Sequence, residues 1–484
     1  MTEFDLTIRG ATVVAGGDVV ACDIGIHDGR IQALAEHLPA GRRDIDGRGR
    51  LVLPGGVDGH CHFDQPTMDG SRMADDFLTG TRSAAFGGTT TVIPFACQMK
   101  GRGLRAAVDD YHLRAAGKAV IDYAFHLIVS DPTPEVLANE LPALIDEGYT
   151  SFKIYTTYDD LKLDDRQILD VLSVARDHGA MVMVHAENAD CIAWLTERLE
   201  GQGKTAPGYH AASRPAVVER EATHRVIAFS ELVDVPILIV HVSGADAMRQ
   251  IRWGQDRGLR IYAETCPQYL FLTADNLAAP GFEGAKCICS PPPRDAGNQQ
   301  AIWDGLAGGV FQIFSSDHAP FRYADPQGKQ VHGEKAAFRY VPNGIPGVET
   351  RLPLLFSGGV REGRISLPQF VELTATNPAK MYGLYPRKGT IAVGADADLA
   401  LWDPQVEVVI SNDKLHHAVD YTPYEGITVH GWPMTVISRG EVVCDGGELL
   451  AQPGQGRFLR CGLPRPAMPK SARPLFDGDL GRLF

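Results

Sequence analysis

The sequence predicts an α/β fold: a (β/α)8 TIM-like barrel carrying a small composite β-sandwich built from both termini. Two observations predict it. Eight apolar, β-branched runs lie between residues 50 and 318, most of them separated by a segment of helical spacing, which is the pattern of a closed parallel sheet. Outside that region apolar and polar residues alternate, as they do in half-buried antiparallel strands.

In chain order the runs are Arg50–Val57, Thr89–Phe95, Val120–Val129, Tyr149–Tyr155, Ala180–Val184, Val235–Val240, Leu259–Ala263 and Val310–Phe314. Helical spacing recurs at residues 165–177 and 245–257. The intervals after the fifth and seventh runs exceed one helix, and such insertions carry loops over an active face. Residues 1–54 and 388–484 are expected to form the terminal β domain, with residues 55–387 as the barrel between them. From Leu450 onward the tail is rich in Gly, Pro and Arg. It is expected to contribute little core and to wrap a surface or a neighbouring subunit.

Composition narrows the function classes. Over 484 residues, 46 Lys and Arg against 60 Asp and Glu leave a net charge of −14, with 44% hydrophobic side chains. These are globular values, and 52 glycines and 31 prolines scattered without period indicate many turns. An acidic chain without clustered Lys or Arg offers no footprint for nucleic acid or an anionic membrane surface. No signal-type leader or apolar 18-mer is apparent, so a cytoplasmic protein is expected. Nine cysteines without a CxxC pair read as reduced, buried thiols. No phosphate-cradling glycine loop is present, so no nucleotide cofactor is expected.

The chemistry sits at the ends of the runs. His60 and His62 follow the first, and a period of two turns both imidazoles to one side. The fifth run ends at His185, the sixth at His241, and the eighth at Asp317-His318. A parallel barrel presents its catalytic face at the carboxyl ends of its strands, and histidines and an aspartate converging there suit a divalent metal. Lys153 lies inside the fourth run, where an unpaired ammonium costs several kcal/mol unless it loses its proton. A neutral amine can add carbon dioxide, and the resulting carbamate has two oxygens able to bridge two ions. Histidines 112, 126, 178, 210, 224 and 332 show no ligand pattern and are expected at the surface or satisfied in the core.

His60-x-His62, Lys153, His185, His241 and Asp317 in this order resemble the binuclear-metal branch of the amidohydrolase superfamily, and within it the dihydropyrimidinase and D-hydantoinase family. Gly148-Tyr-Thr-Ser-Phe-Lys153, His185-Ala-Glu-Asn188, Glu264-Thr-Cys-Pro-Gln-Tyr269 and Asp420-Tyr-Thr-Pro-Tyr-Glu-Gly support the resemblance, which spans nearly the whole chain. It implies two divalent ions, most simply zinc. One would be held by His60, His62, carboxylated Lys153 and Asp317, and the other by Lys153, His185 and His241.

The resemblance further implies that Asp317 moves the proton, Tyr158 donates to the oxyanion, and Ser290 and Asn343 bind the amide edge of a small cyclic amide. A homotetramer or homodimer is implied as well. The ring would be a dihydropyrimidine or a 5-monosubstituted hydantoin opened to an N-carbamoyl amino acid, as in pyrimidine degradation; allantoin and cyclic imides are the alternative rings, and a non-catalytic scaffold is the alternative class. Phe63-Asp64-Gln65-Pro66 lacks the arginine that dihydroorotase-like members place two residues after the second histidine. The polar loop Tyr155-Thr-Thr-Tyr158-Asp-Asp-Leu-Lys162, with Gln65, suggests a small polar ring.

Overall fold

The computed structural model describes residues 4–471; residues 1–3 and 472–484 of the expected terminal domain and tail lie outside them. The barrel strands are Gly56–Asp58, Thr89–Val92 with Phe95–Cys97, Asp122–Tyr123 with His126–Ile128, Ser151–Tyr155, Met181–His185, Ile237–Ile239, Ile261–Thr265 and Ile313–Phe314. Every ladder between them is parallel. The second strand is interrupted at Pro94, which has no N–H to give. Its neighbour stays attached across the break, the Ala124 N–H donating to the Val92 carbonyl and the His126 N–H to the Pro94 carbonyl.

Closure between the eighth strand and the first rests on a Cys61–His318 parallel bridge and on two buried charges. Asp58 accepts the Ser316 N–H. Arg351 donates to the Phe314 carbonyl and to Thr89 Oγ1, with its Nε 3.5 Å from Asp58. One guanidinium therefore ties three strands together.

Strand alternation sorts the core into two layers. Met181, Met183 and Leu238 fill the barrel interior, while Val182, Val184, Ile237 and Ile239 face the surrounding helices. The helix Asp165–His178 shows why the intervening segments fold as they do. Asp164 and Gln167 form a reciprocal cap, Ile168, Val171, Leu172 and Ala175 make one buried stripe, and Gly179 ends it in a left-handed turn.

The terminal segments form one nine-stranded sheet, from Glu448–Leu449 at one edge to Arg30–Ala35 at the other. It differs from the all-antiparallel expectation. Leu6–Ala15 runs parallel to both Arg43–Asp46 and Leu51–Pro54, and Leu51–Pro54 is the seam that pairs antiparallel with Leu399–Val409. The first apolar run of the sequence thus serves two sheets. Leu51–Pro54 belongs to the terminal sheet and Gly56–Asp58 to the barrel, with Gly55 between them, where a Cβ would lie 2.2 Å from Thr90 Oγ1. One face of the sheet packs Ile8, Ile24, Val52 and Leu399 into a core of its own. The other lays Leu53, Trp402 and Val436 on the barrel helices.

The tail also departs from expectation, because it supplies core to its own chain. Residues 456–462 cross the amino-terminal ends of the barrel strands, bonding to the backbone of Ala119, Tyr123, Gly148 and Gly383. Leu459, Cys461 and Ala467 pack beneath Met181 with Met381, Tyr382 and Leu384. A Gly/Pro-rich stretch can do this because backbone hydrogen bonds, not side-chain periodicity, hold it in place. Among the described residues no helix is long and apolar enough to cross a membrane.

Leu459 is 1% exposed, so Leu459→Ala is expected to destabilise the fold by about 2–5 kcal/mol, read as a lower midpoint of chemical denaturation.

Candidate active site

Alternation and its violations aim the polar groups. Lys153 shares the inward parity of Tyr155, and His185 that of Met181 and Met183, so both point into the mouth of the barrel without distortion. His241 has the outward parity of Ile237 and Ile239. It is turned back by a left-handed backbone at φ 41°, and Asp317 sits at φ 49°. Such conformations cost of order 1–3 kcal/mol each for non-glycine residues and gather at functional sites.

The six side chains meet. Ligand atoms of His60, His62 and Asp317 lie within 4.8 Å of one another. Asp317 Oδ1 is 3.1 Å from His60 Nε2 and 3.4 Å from His62 Nε2. Lys153 Nζ is 2.7 Å from His60 Nε2, and His185 Nδ1 is 2.9 Å from His241 Nε2.

The outer nitrogens decide the tautomers. His60 Nδ1 donates to Glu264 Oε1 at 2.6 Å, His62 Nδ1 to Gln65 Oε1 at 2.6 Å, and His185 Nε2 to Glu187 Oε2 at 2.8 Å. Each acceptor holds a proton on the outer nitrogen and leaves a bare lone pair facing inward. Burial keeps His62 and His185 below the ordinary histidine range, and burial beside the His185 imidazole pushes His241 well below it; although burial and Lys153 oppose it, Glu264 and Asp317 hold His60 above that range. Imidazoles with inward-facing nitrogens beside a carboxylate are the donor set a divalent metal needs. The residues present therefore fit divalent metal ions.

Two acids complete the support. Glu264 accepts from His60, from the His241 N–H and from Ser315 Oγ, joining three strand ends in one carboxylate. Glu187 is bound by Arg214 at 2.7 Å as well as by His185. Although burial opposes it, Arg214 and His185 lower the Glu187 carboxyl to about 2. Asp317, which burial would raise, is held well below the carboxylate range by His60 and His62.

Lys153 is 1% exposed, and among the described residues no carboxylate lies within ion-pair distance of it. Its Nζ lies 4.7 Å and 5.0 Å from the Phe95 and Tyr155 ring centroids. Burial pulls the amine down to about 8, which leaves a usable neutral fraction near neutral pH.

The cluster floors a cavity of about 780 Å³ whose wall includes Tyr158, Ser290, Asn343 and Arg214. Tyr158 holds a left-handed φ of 67°, and burial raises its hydroxyl to about 12, so it remains a donor. Ser290 Oγ donates to Asn343 Oδ1 at 2.8 Å, making one wall of two loops. Both long insertions reach this cavity, the first through Ile192 and Arg214 and the second through Cys289 and Ser290. The outer wall is more apolar than the polar loop suggests, with Met68, Met73, Leu161, Ile192, Phe321 and Val341.

Every site residue expected from sequence lies at this mouth. Glu187, Glu264, Arg214 and the His62-binding role of Gln65 were not anticipated. Their motifs were visible, but a buried carboxylate shows its purpose only once its partner from another strand is known. His126 is a satisfied core residue, bonded to Ser151 Oγ and the Gly59 carbonyl. His332 lines the cavity rim.

Comparison with known proteins gives a consistent result. The Amidohydrolase family model matches residues 51–443. The chain is 45% identical to a D-hydantoinase of Ralstonia pickettii over 94% of this chain and 98% of that one. It is 39% identical to a D-phenylhydantoinase of Escherichia coli over 94% and 97%. The crystal structure of a dihydropyrimidinase from Brevibacillus agri superposes with a TM-score of 0.92 at 43% identity, covering 96% of this chain and 99% of that one.

Glu264→Gln keeps the shape and removes the charge behind His60. Metal affinity is expected to fall about 10–100-fold, measured as retained zinc after dialysis against a graded chelator.

Proposed function

The chain belongs to the amidohydrolase family, and on that premise we propose that it hydrolyses the ring amide of dihydropyrimidines and 5-monosubstituted hydantoins to N-carbamoyl amino acids. The observation that carries this reading is a set of inward-facing imidazoles, with Asp317 and a buried Lys153 that lacks a carboxylate partner among the described residues, at the floor of a cavity whose wall carries Tyr158, Ser290 and Asn343.

His60, His62 and Asp317 would hold one divalent ion, His185 and His241 the other, and Lys153 both. For that, the neutral Lys153 amine bonds to the carbon of carbon dioxide and releases one proton, leaving a carbamate. Such ions, when bound, supply positive charge that makes water nucleophilic near neutral pH.

The chain's own groups do the rest. Asp317, an ionised carboxylate beside two imidazoles, accepts the proton of the attacking water and returns it to the ring nitrogen as that nitrogen leaves. The Tyr158 hydroxyl, protonated throughout the physiological range, donates to the oxygen on which charge develops. Ser290 and Asn343 orient the amide edge, and the apolar outer wall admits an apolar ring substituent. The retained ligand set speaks against a non-catalytic scaffold. Nine free thiols, eight of them buried, suit a reducing cytoplasm, and a homotetramer or homodimer is the assembly we infer from the family.

Ring opening of dihydrouracil and hydantoin by zinc-loaded and chelator-treated protein tests the reading. Activity abolished by chelation and restored by zinc is expected. Failure on both rings at full metal occupancy would reject the substrate class and turn attention to allantoin and cyclic imides. Lys153→Ala is expected to lose metal and activity together, with partial recovery in short-chain carboxylic acids; full metal content in that variant would refute the bridge. Tyr158→Phe is expected to lower kcat about 10²–10³-fold at unchanged metal content.

A further inference from the structure

Lys329 lies in the segment over the cavity, outside the metal cluster, and its side chain is 1% exposed. Among the described residues it has no carboxylate partner. Its Nζ donates instead to three backbone carbonyls, those of Ile288 at 3.0 Å, Pro342 at 2.7 Å and Gly344 at 2.6 Å. Burial pulls this amine down to about 7, but a neutral amine has only two N–H donors and an ammonium three, and the three carbonyls around Nζ call for the ammonium. The acceptors are not scattered. Ile288 stands two residues before Ser290, while Pro342 and Gly344 flank Asn343. The Gly344 N–H also donates to the Ile288 carbonyl at 3.0 Å. That bond fixes the plane of the peptide between Asn343 and Gly344, so the Asn343 carbonyl points the opposite way, as trans geometry requires. Lys329 is itself anchored, its N–H donating to the Arg322 carbonyl at 2.8 Å. Gly328 makes that approach possible, since a Cβ there would lie 2.0 Å from the same oxygen.

We propose that Lys329 is a positioning residue for substrate, clamping the Ser290 and Asn343 loops at the spacing that reads the ring amide. The inference rests on the cyclic-amide reading above. Charge-assisted bonds to carbonyls are roughly twice as strong as neutral ones, and losing the ammonium would leave buried acceptors unsatisfied on both loops at once. Their separation would then widen. Lys329 touches neither ligands nor reacting atoms, so the effect should appear in binding and not in the chemical step.

The experiment compares Lys329→Met and Lys329→Gln with wild type on hydantoin and dihydrouracil, reading KM, kcat and bound zinc separately. Lys329→Met is expected to raise KM tenfold or more, with kcat within threefold and zinc unchanged. Lys329→Gln, which returns two donors, should fall between Met and wild type. A merely structural role would lower the active fraction, reducing kcat at unchanged KM, and that result would overturn the assignment. Should the Met variant not fold, an unchanged KM in the Gln variant would overturn it equally. A wild-type enzyme inert on both rings would reject the substrate reading itself; an active wild type with unaffected variants rejects Lys329 alone.

Discussion

Burial of Lys153 is the constraint around which the mouth of the barrel is arranged. An amine in the middle of a strand, facing inward between two aromatic rings and without a carboxylate partner, is costly as an ammonium and tolerable as a neutral amine. Every neighbouring group conforms to that choice. Glu264, Gln65 and Glu187 stand behind the imidazoles, so protons are held at the periphery and lone pairs face the centre. Counter-charge has to enter from outside the chain, and the donor set is shaped to receive it.

The barrel's geometry follows the same requirement. Lys153 and His185 reach the centre by simple alternation, whereas His241, of outward parity, is swung in by left-handed backbone. Glu264 repays part of that distortion by accepting the His241 N–H as well as the His60 proton. Below, Asp58 and Arg351 close the sheet where the first and last strands meet. The positions of His60, His62 and Asp317 at the ends of those two strands are thus set by a buried ion pair close by.

Much of this was legible in the sequence because it is periodic or terminal. The eight runs announced the barrel, and the histidines closing them announced the site, since strand ends share one face whatever their sequence separation. What stayed hidden depends on a partner that sequence does not reveal. Glu264 reads as any strand-end acid until His60 and His241 are placed beside it. Gln65 reads as a pocket residue until its oxygen is found on His62. The split at Gly55 is hidden in a continuous apolar run, and the tail's role in the core is hidden by a composition that ordinarily marks loops.

The tail that closes the floor of the barrel has a consequence for biogenesis. Leu459, Cys461 and Ala467 lie beneath strands made long before them, and Leu51–Pro54 must wait for Leu399–Val409 to complete its sheet. Once the barrel strands have been made, their lower core is still open and the terminal sheet lacks four of its nine strands. These contacts are among the most non-local in the molecule, which slows their formation. A nascent chain can therefore bring the residues of the barrel mouth together early yet close the floor beneath them only once residues 456–467 have left the exit tunnel.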